Sequence, residues 1–591
     1  MKMKSISLMT GVAVAALVFG APGAFAQVAI TQGTAVTPIT NSAAVTGTAA
    51  DSITTSGAIS GLLSGASIGS TGVVASVGVL GSNTAFGSGS NLALPSGGIT
   101  TIDQVTTNTG AITRPAATID LGGGGIAAVS GNGASASISG TGSVTSVGIQ
   151  AIETAAGTNS IGTAITQSST NSTGGIIANT GTINLDALSG KASSASVSAT
   201  GAVASVSGSQ AGSGVGNMSG ATTIGSTSID QTTSNVAAVG NNGTIGALGT
   251  GLTGNGASAS LSATGAASQV SASQLVTGTL TANSSIIFGG LTQSSTNTGA
   301  VTNGATTASL TTGDLTGSGT SVGVSSTGAV VSVGSNSNGN IANTVAANSR
   351  VSTTTGAISQ TALNDTGGTV ANTSTTFNVG NLGATTADGA GSSASISATG
   401  AASSVSSNAI GTRGATDTFG AINQSSTNNA TVTNNNGAAG AGTATVAGIN
   451  GTSASASVSA TGAVTSTSIT SNSNVAAGTY TLAGITQDSS NTAAINNKGG
   501  TLAITNDISG RNASASIGAS GSVASVSVAS IADGASIGGA ALLGNVTQAS
   551  ANTASVTNAG QITVTGITGS GASASVSALG AGAMASFRAT K

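Results

Sequence analysis

Residues 291–303 have the sequence LTQSSTNTGAVTN, and the skeleton of this segment recurs along the whole chain. Gln293 is followed four residues later by Asn297, and then by the branched apolar Val301 and by Asn303. No side chain in the segment titrates near neutral pH. The same skeleton occurs in INQSSTNNATVTN, ITQDSSNTAAINN and VTQASANTASVTN. This recurrence of uncharged amides indicates a repeated structural element.

Successive copies of this glutamine lie 61 to 67 residues apart, and each is followed by an asparagine four residues later. A fixed period of this kind is typical of a tandem repeat array. We therefore predict eight or nine copies of one unit over residues 27–591, with Gln32 as a degenerate first copy and no internal domain boundary. We expect the amides to pair along the stack or to close turns, at Gln104, Asn108, Gln167, Asn171, Gln231, Asn235, Gln293, Asn297, Gln360, Asn364, Gln424, Asn428, Gln487, Asn491, Gln548 and Asn552.

A second motif, SASVSATG near residue 194, alternates small apolar residues with hydroxyl residues and occurs once in each unit. Strict alternation predicts a β-strand whose two faces differ. Val197 and Val203 have the same parity, which predicts that both face the same side, whereas Val206 has the opposite parity. Because one extra residue exchanges the two faces of a strand, this switch predicts a bend or bulge.

The trailing apolar and asparagine positions respect the same parity. Val239 and Asn241 lie eight and ten residues after their glutamine, and most copies share this spacing. In the copy with Ile177 and Asn179, and in the copy with Val370, both positions are shifted by two residues. A shift of two preserves the face of a strand, so the pattern predicts ordered strands. We expect the trailing Asn and Gly residues to form turns.

These patterns predict an all-β fold, an elongated β-solenoid-like tandem repeat array. A unit of about 63 residues exceeds an ordinary solenoid repeat, so three coils of about 21 residues per unit are favoured, stacked about 4.8 Å apart. Like amides would then recur only at every third coil. If each unit formed one large layer, the amides would stack directly. Tandem β-sandwich repeats are the alternative fold.

The N-terminal segment, residues 1–26, has the features of a secretory signal peptide. Lys2 and Lys4 precede a short apolar run, and AFA provides a cleavage site after Ala26. The apolar run is too short for a membrane span. We therefore expect the mature chain, residues 27–591, to be secreted, to be extracellular or on the cell surface, and not to insert into a membrane.

Composition argues against several classes of function. Removal of Lys2 and Lys4 leaves eight basic residues against thirteen acidic ones, a net charge of −5, with no basic cluster for nucleic acid. The chain contains no His and no Cys, which excludes a Ser–His–acid triad, a cysteine nucleophile and His/Cys metal sites. A Ser–Lys pair with Lys191 or Lys498 stays open. We expect no enzymatic activity and no cofactor.

The segments ITQDSSNTAAINN and VTQASANTASVTN resemble the curlin repeats of bacterial extracellular amyloid fibres. Gln487 with Asn491, and Gln548 with Asn552, would match the ladder-forming amides of that family. Curlin sets the two amides five residues apart with a Gly between them, whereas the spacing here is four and the Gly is absent. More broadly, the chain looks like bacterial secreted β-strand-repeat surface proteins. The resemblance implies surface fibres and biofilm matrix.

Two functional hypotheses follow. The first is a secreted structural protein of the cell surface or matrix that assembles with itself into fibres through β-sheet edges. Charged residues and prolines discourage pairing at such edges, and the mature chain has few charges and only three prolines. The second is a rod-like surface adhesin. The C-terminal sequence GASASVSALGAGAMASFRATK continues the repeat and contains no recognisable anchor, which favours self-assembly. Other surface or matrix components are further candidate partners.

Overall fold

The computed structural model describes residues 28–46, 51–55, 58–83, 99–114, 117–121, 128–153, 159–161, 164–213, 220–249, 251–277, 284–304, 308–340, 351–373, 375–383, 389–411, 415–434, 443–473, 479–497, 501–532 and 541–590. The predicted signal peptide and Lys498 lie outside the described residues.

The protein is an all-β, β-solenoid-like tandem array whose coils are elongated in cross-section. Four parallel sheets extend along the stack, and each unit contributes to all of them. The Ser/Ala motifs form the first, which we call the long sheet. Its nine strands are Gly65–Asn83, Ser135–Glu153, Ser194–Ser213, Ser258–Thr277, Ser321–Asn340, Ser393–Gly411, Ser455–Ser473, Ser514–Ala532 and Ser573–Thr590.

The Gln/Asn motifs form the second, the glutamine sheet, because alternating Ile, Gln and Ser or Thr residues present one face inward. Some units contribute two strands to it, separated by an irregularity. Its strands are Val28–Gln32, Ile39–Asn41, Ile99–Asn108, Asn159–Ile161, Ala164–Asn171, Gly220–Asn235, Ser284–Asn297, Val351–Thr355, Ile358–Asn364, Ala415–Asn428, Thr479–Asn491, Ala541–Leu543 and Val546–Asn552.

Shorter strands complete each coil. The third sheet, with the trailing apolar and Asn residues, contains Val45–Thr46, Ile112–Arg114, Ile177–Asn179, Val239–Asn241, Val301–Asn303, Val370–Asn372, Val432–Asn434, Ile495–Asn497 and Val556–Asn558. The fourth contains Ser52–Thr55, Thr118–Leu121, Thr182–Asn184, Thr244–Leu248, Ala308–Thr312, Thr375–Leu382, Thr443–Ile449, Thr501–Ile508 and Gln561–Ile567. A small sheet joins Ala128–Val129, Ala187–Leu188 and Gly251–Leu252.

Each repeat unit forms one coil, so the expectation of three coils per unit is wrong. Gln104 pairs in parallel register with Gln167, and Gln167 with Gln231, so consecutive units are nearest neighbours at every sheet. One coil is large because it includes a strand of 18 to 20 residues along one side. Nine coils are present in the described part of the chain, and Gln32 belongs to the first. Eight steps of about 4.8 Å give a stack about 40 Å high.

The hydrophobic core lies between the long sheet and the three sheets that face it. Ile138 and its equivalents pack against the fourth sheet, Ala199 and its equivalents against the third, and Val206 and its equivalents against the glutamine sheet. Each of these clusters continues from coil to coil along the stack. Small and branched residues fill most of this core, and Phe288, Phe377 and Phe419 are its aromatic members.

The parity switch in the long strand is present, but it lies earlier than the position of Val203 suggests. Val197 is buried, then Gly201 and Ala202 are both buried in succession, and Val206 is buried again. Val203 is only partly buried and faces outward, so the prediction that it faces the same side as Val197 is wrong. The positions of the valines did not reveal where the parity switch lies, because the strand bends at Gly201, which has no side chain to contribute to the pattern.

The two-residue shifts are absorbed as predicted. Ile177 pairs with Val239, and Asn179 with Asn241, although their distances from the preceding glutamine differ by two residues. Val370 likewise pairs with Val301 and Val432. The additional residues lie in the turn before each strand, so the strand keeps its face and its register.

Candidate functional site

The aligned glutamines form a continuous ladder of side-chain hydrogen bonds through the stack. In each step, Nε2 of the later coil donates to Oε1 of the preceding coil at 2.8–2.9 Å. The ladder begins at Gln32 and ends at Gln548. The large single-layer coil brings like amides to neighbouring positions, so the amides stack directly.

The second hydrogen of each glutamine amide connects the two layers of the coil. Gln104 Nε2 donates to the backbone carbonyl of Ser146 at 3.0 Å, and Gln293 Nε2 to that of Ser332 at 3.1 Å. The other rungs make the equivalent bond at 2.9–3.1 Å. These carbonyls belong to the long strand of the same coil, and they fix the orientation of every amide.

The asparagines four residues after the glutamines form a second ladder, together with Asn41, which lies nine residues after Gln32 in the first coil. Here Nδ2 of the earlier coil donates to Oδ1 of the following coil at 2.6–2.8 Å, from Asn41 to Asn552. In every coil except that of Asn364, the other Nδ2 hydrogen closes a turn. For example, Asn108 donates to Gly110 O and Asn235 to Ala237 O, both at 2.9 Å. The structure thus places all sixteen predicted amide residues in two ladders. Both ladders connect the strands along the stack, and the asparagines also close turns.

Burial makes these ladders important for stability. All sixteen residues except Gln548 and Asn552 are buried, and none of the buried ones is more than 3% exposed. A buried polar group without a partner costs about 1–3 kcal/mol. Each inner amide uses one N–H and its side-chain oxygen to bond the equivalent amides in the two adjacent coils. A unit that lost its amide would therefore leave one group in each neighbouring coil unpaired.

A column of glycines faces the asparagine ladder, and the sequence analysis did not assign it a role. An ideal Cβ on Gly201 would lie 2.3 Å from Asn235 Oδ1 and 2.3 Å from the carbonyl oxygen of Gly265. Equivalent glycines in other coils have the same close contacts. The Thr-Gly pair that ends most copies of the alternating motif is the sequence signal that could have revealed this role. The glycine of the pair provides the bend in the strand and also leaves space for the asparagine ladder.

The trailing asparagines were expected only in turns, but they also join the third sheet to the long sheet. Asn179 Nδ2 donates to Ser198 O at 2.8 Å, and Asn434 Nδ2 donates to Ser459 O at 3.0 Å. Asn179 Oδ1 accepts a hydrogen bond from Gly181 N at 3.2 Å, so the turn role is also present.

In the second coil, Arg114 occupies the position of these trailing asparagines. It is buried, and its guanidinium bonds to the Gly69 carbonyl and to Asp51 Oδ2, the latter at 2.8 Å. Burial lowers the pKa of Arg114 from its ordinary value, and the carboxylate of Asp51 opposes that shift. Both contacts reach the first coil, so Arg114 connects the first two coils electrostatically.

The last coil carries the same motifs as the inner coils, but its inward side chains are exposed. Val576 is 51% exposed, whereas the equivalent Ile517 in the preceding coil is fully buried. Phe587 is 50% exposed. This exposure arises because no further coil covers these residues in the described part of the chain. The open end is therefore an apolar and hydrogen-bonding surface that an additional coil would fit.

The possible metal-binding side chains of the described residues do not cluster. Over that part of the chain, no group of three or more His, Cys, Asp or Glu is arranged to hold a metal ion. Lys191 is exposed. No helix within the described ranges is long and apolar enough to cross a lipid bilayer. The chain matches no family model, no curated protein and no solved structure.

Proposed function

We propose that the protein is a secreted, non-catalytic structural component of the cell surface or extracellular matrix, which assembles with itself into fibres by adding chains at the open ends of the stack. The observation that carries this proposal is the last coil. It has the same strands and amides as an inner coil, yet Gln548, Asn552 and the core position Val576 lack the cover that every inner coil has.

The edge of this coil favours strand addition. Ser573–Thr590 pairs with Ser514–Ala532 on one side only, so the outward backbone groups of an 18-residue strand are available. Charged, bulged or short edges normally discourage such pairing. Arg588 is the only charged residue between 541 and 590, so electrostatic repulsion between two such ends is weak.

The height of the stack favours a polymer over a monomeric rod. Nine coils extend about 40 Å along the axis, which is shorter than the approximately 60 Å that a fully extended strand of 18 to 20 residues would span. The nine described coils are therefore a short segment along the stacking axis, and a long fibre of such segments requires many copies. The curlin resemblance also supports self-assembly into fibres, and the predicted signal peptide supports secretion. The rod-like adhesin is the alternative outcome.

Sedimentation and electron microscopy of residues 27–591 at increasing concentration test the proposal. We expect fibres whose length increases with concentration and whose diffraction shows a meridional spacing of about 4.8 Å. A folded chain that stays monomeric at every accessible concentration would refute self-assembly and favour the adhesin. Fibres formed only after the β-structure has been denatured would also contradict the proposal, because native coils would not then be the units that stack.

A further inference from the structure

The two amide ladders have opposite polarity. Every glutamine rung donates from the later coil to the earlier one, and every asparagine rung donates from the earlier coil to the later one. The cause is local: the carbonyl of the long strand orients each glutamine amide, and a turn carbonyl orients the asparagine amide in every coil except that of Asn364. The stack therefore has a direction, and its two ends present different unpaired hydrogen-bonding groups in the ladders.

At the C-terminal end, the last rungs leave one acceptor and one donor. Gln548 Nε2 donates to Gln487 Oε1 and to Met584 O, and its own Oε1 accepts no hydrogen bond from the described residues. Asn552 Oδ1 accepts from Asn491, and its Nδ2 donates only to Ala554 O within the described chain, which leaves one N–H. An acceptor and a donor thus lie four residues apart at the edge of one strand.

At the N-terminal end, the asparagine ladder presents the complementary group. Asn41 uses both Nδ2 hydrogens, one toward Asn108 Oδ1 at 2.8 Å and one toward Ala43 O at 3.0 Å. Its Oδ1 accepts no hydrogen bond from the described residues. The first coil therefore offers an acceptor at the ladder position where the last coil offers the donor of Asn552.

Two apolar columns are also open at both ends. Val45 and Val556 terminate the column of the third sheet, and Ile53 and Ile562 terminate a column of the fourth sheet. The members between them are buried, whereas these four are only partly buried. Stacking the first coil of one copy on the last coil of another would place Val45 on Val556 and Ile53 on Ile562, with the register that the inner coils have.

We propose that the partner of the C-terminal coil is the N-terminal coil of a second copy of this chain, so that fibres are head-to-tail and have one polarity. Asn552 Nδ2 donates across the junction to Asn41 Oδ1 of the second copy. If two C-terminal coils met, the Nδ2 donors of their Asn552 residues would face each other and could not form a hydrogen bond. The strands of the two coils would also pair in antiparallel orientation, unlike the parallel strands within the chain. This inference rests on the proposed function and specifies the junction.

Chains blocked at one end test the polarity. One variant carries Val556→Lys and Ile562→Lys, and the other carries Val45→Lys and Ile53→Lys. Sedimentation velocity should find each variant monomeric alone, and an equimolar mixture should form a dimer containing one of each. Homodimers of either variant alone would overturn head-to-tail stacking while leaving self-assembly intact. Wild-type chains that never assemble would overturn both, and a mixture of β-folded variants that stays monomeric would overturn the junction.

A milder pair of variants covers the case in which the lysines disrupt folding. Asn552→Asp removes the outward donor, and Thr553→Asp adds the same charge at the exposed neighbouring position. We expect Asn552→Asp to raise the critical concentration for fibres at least tenfold and Thr553→Asp to change it less than threefold. Equal effects of the two variants would show that charge alone matters and would overturn the proposed contact of Asn552.

Discussion

Replacing Gly328 by alanine tests whether the asparagine ladder requires a glycine opposite each rung. Gly328 lies in the fifth of nine coils, at the bend of Ser321–Asn340. An added Cβ would lie 2.5 Å from Asn364 Oδ1 and 2.5 Å from the carbonyl oxygen of Gly400. Neither atom is the end of a flexible side chain, because Asn364 is held in the ladder and Gly400 is backbone in the adjacent strand.

The expected cost has two parts. Overpacking of a well-filled interior costs about 1–3 kcal/mol. If the amide of Asn364 moves away, Asn297 Nδ2 loses a 2.8 Å partner, and a buried unsatisfied group costs about 1–3 kcal/mol more. We therefore expect Gly328→Ala to lower the local free energy of unfolding by about 2–6 kcal/mol.

Gly334→Ala is the matched control, because Gly334 lies in the same strand and its nearest neighbour to an added Cβ is Ser406 Oγ at 3.5 Å. That is ordinary van der Waals contact, so we expect a change within about 0.5 kcal/mol. Hydrogen exchange is the suitable assay, since stability in a repeat array is a sum of local terms. A loss of 2 kcal/mol accelerates exchange about 30-fold. Equal exchange rates in the two variants would refute the steric argument.

Three further predictions concern the ladders, the ion pair and the fold. Gln293→Glu should destabilise the stack more than Thr292→Glu, which lies on the outer face. Burial should raise the pKa of the new carboxyl at residue 293. The decrease in the urea midpoint relative to wild type should therefore be smallest at acidic pH and should grow as the pH rises through that pKa. Asp51→Asn should lower the stability of the first two coils by about 1–3 kcal/mol, measured by hydrogen exchange, because Arg114 stays buried without its carboxylate. Far-ultraviolet circular dichroism of residues 27–591 should show β-structure and almost no helix; a random-coil spectrum would contradict the array.

The alternation around Val197 and the fixed period of the glutamines were sufficient to predict an all-β repeat array, because the side-chain period of a strand is a local property of the sequence. The two-residue shifts at Ile177 and Val370 were also interpretable, since parity depends only on counting residues. The position of the bend was not, because Gly201 contributes no side chain to the pattern that was counted.

The number of coils per unit depended on information that no local pattern contains. A strand such as Ser194–Ser213 is compatible with small coils or with one large coil, and the choice depends on which strands pair across about 63 residues of chain. Tertiary structure decided this by pairing each unit with the next, and the same pairing converted isolated amides into ladders with a direction. The sequence by itself determined the strands and the amide positions; the long-range register determined what the amides contact, because hydrogen bonds between coils exist only after the coils have stacked.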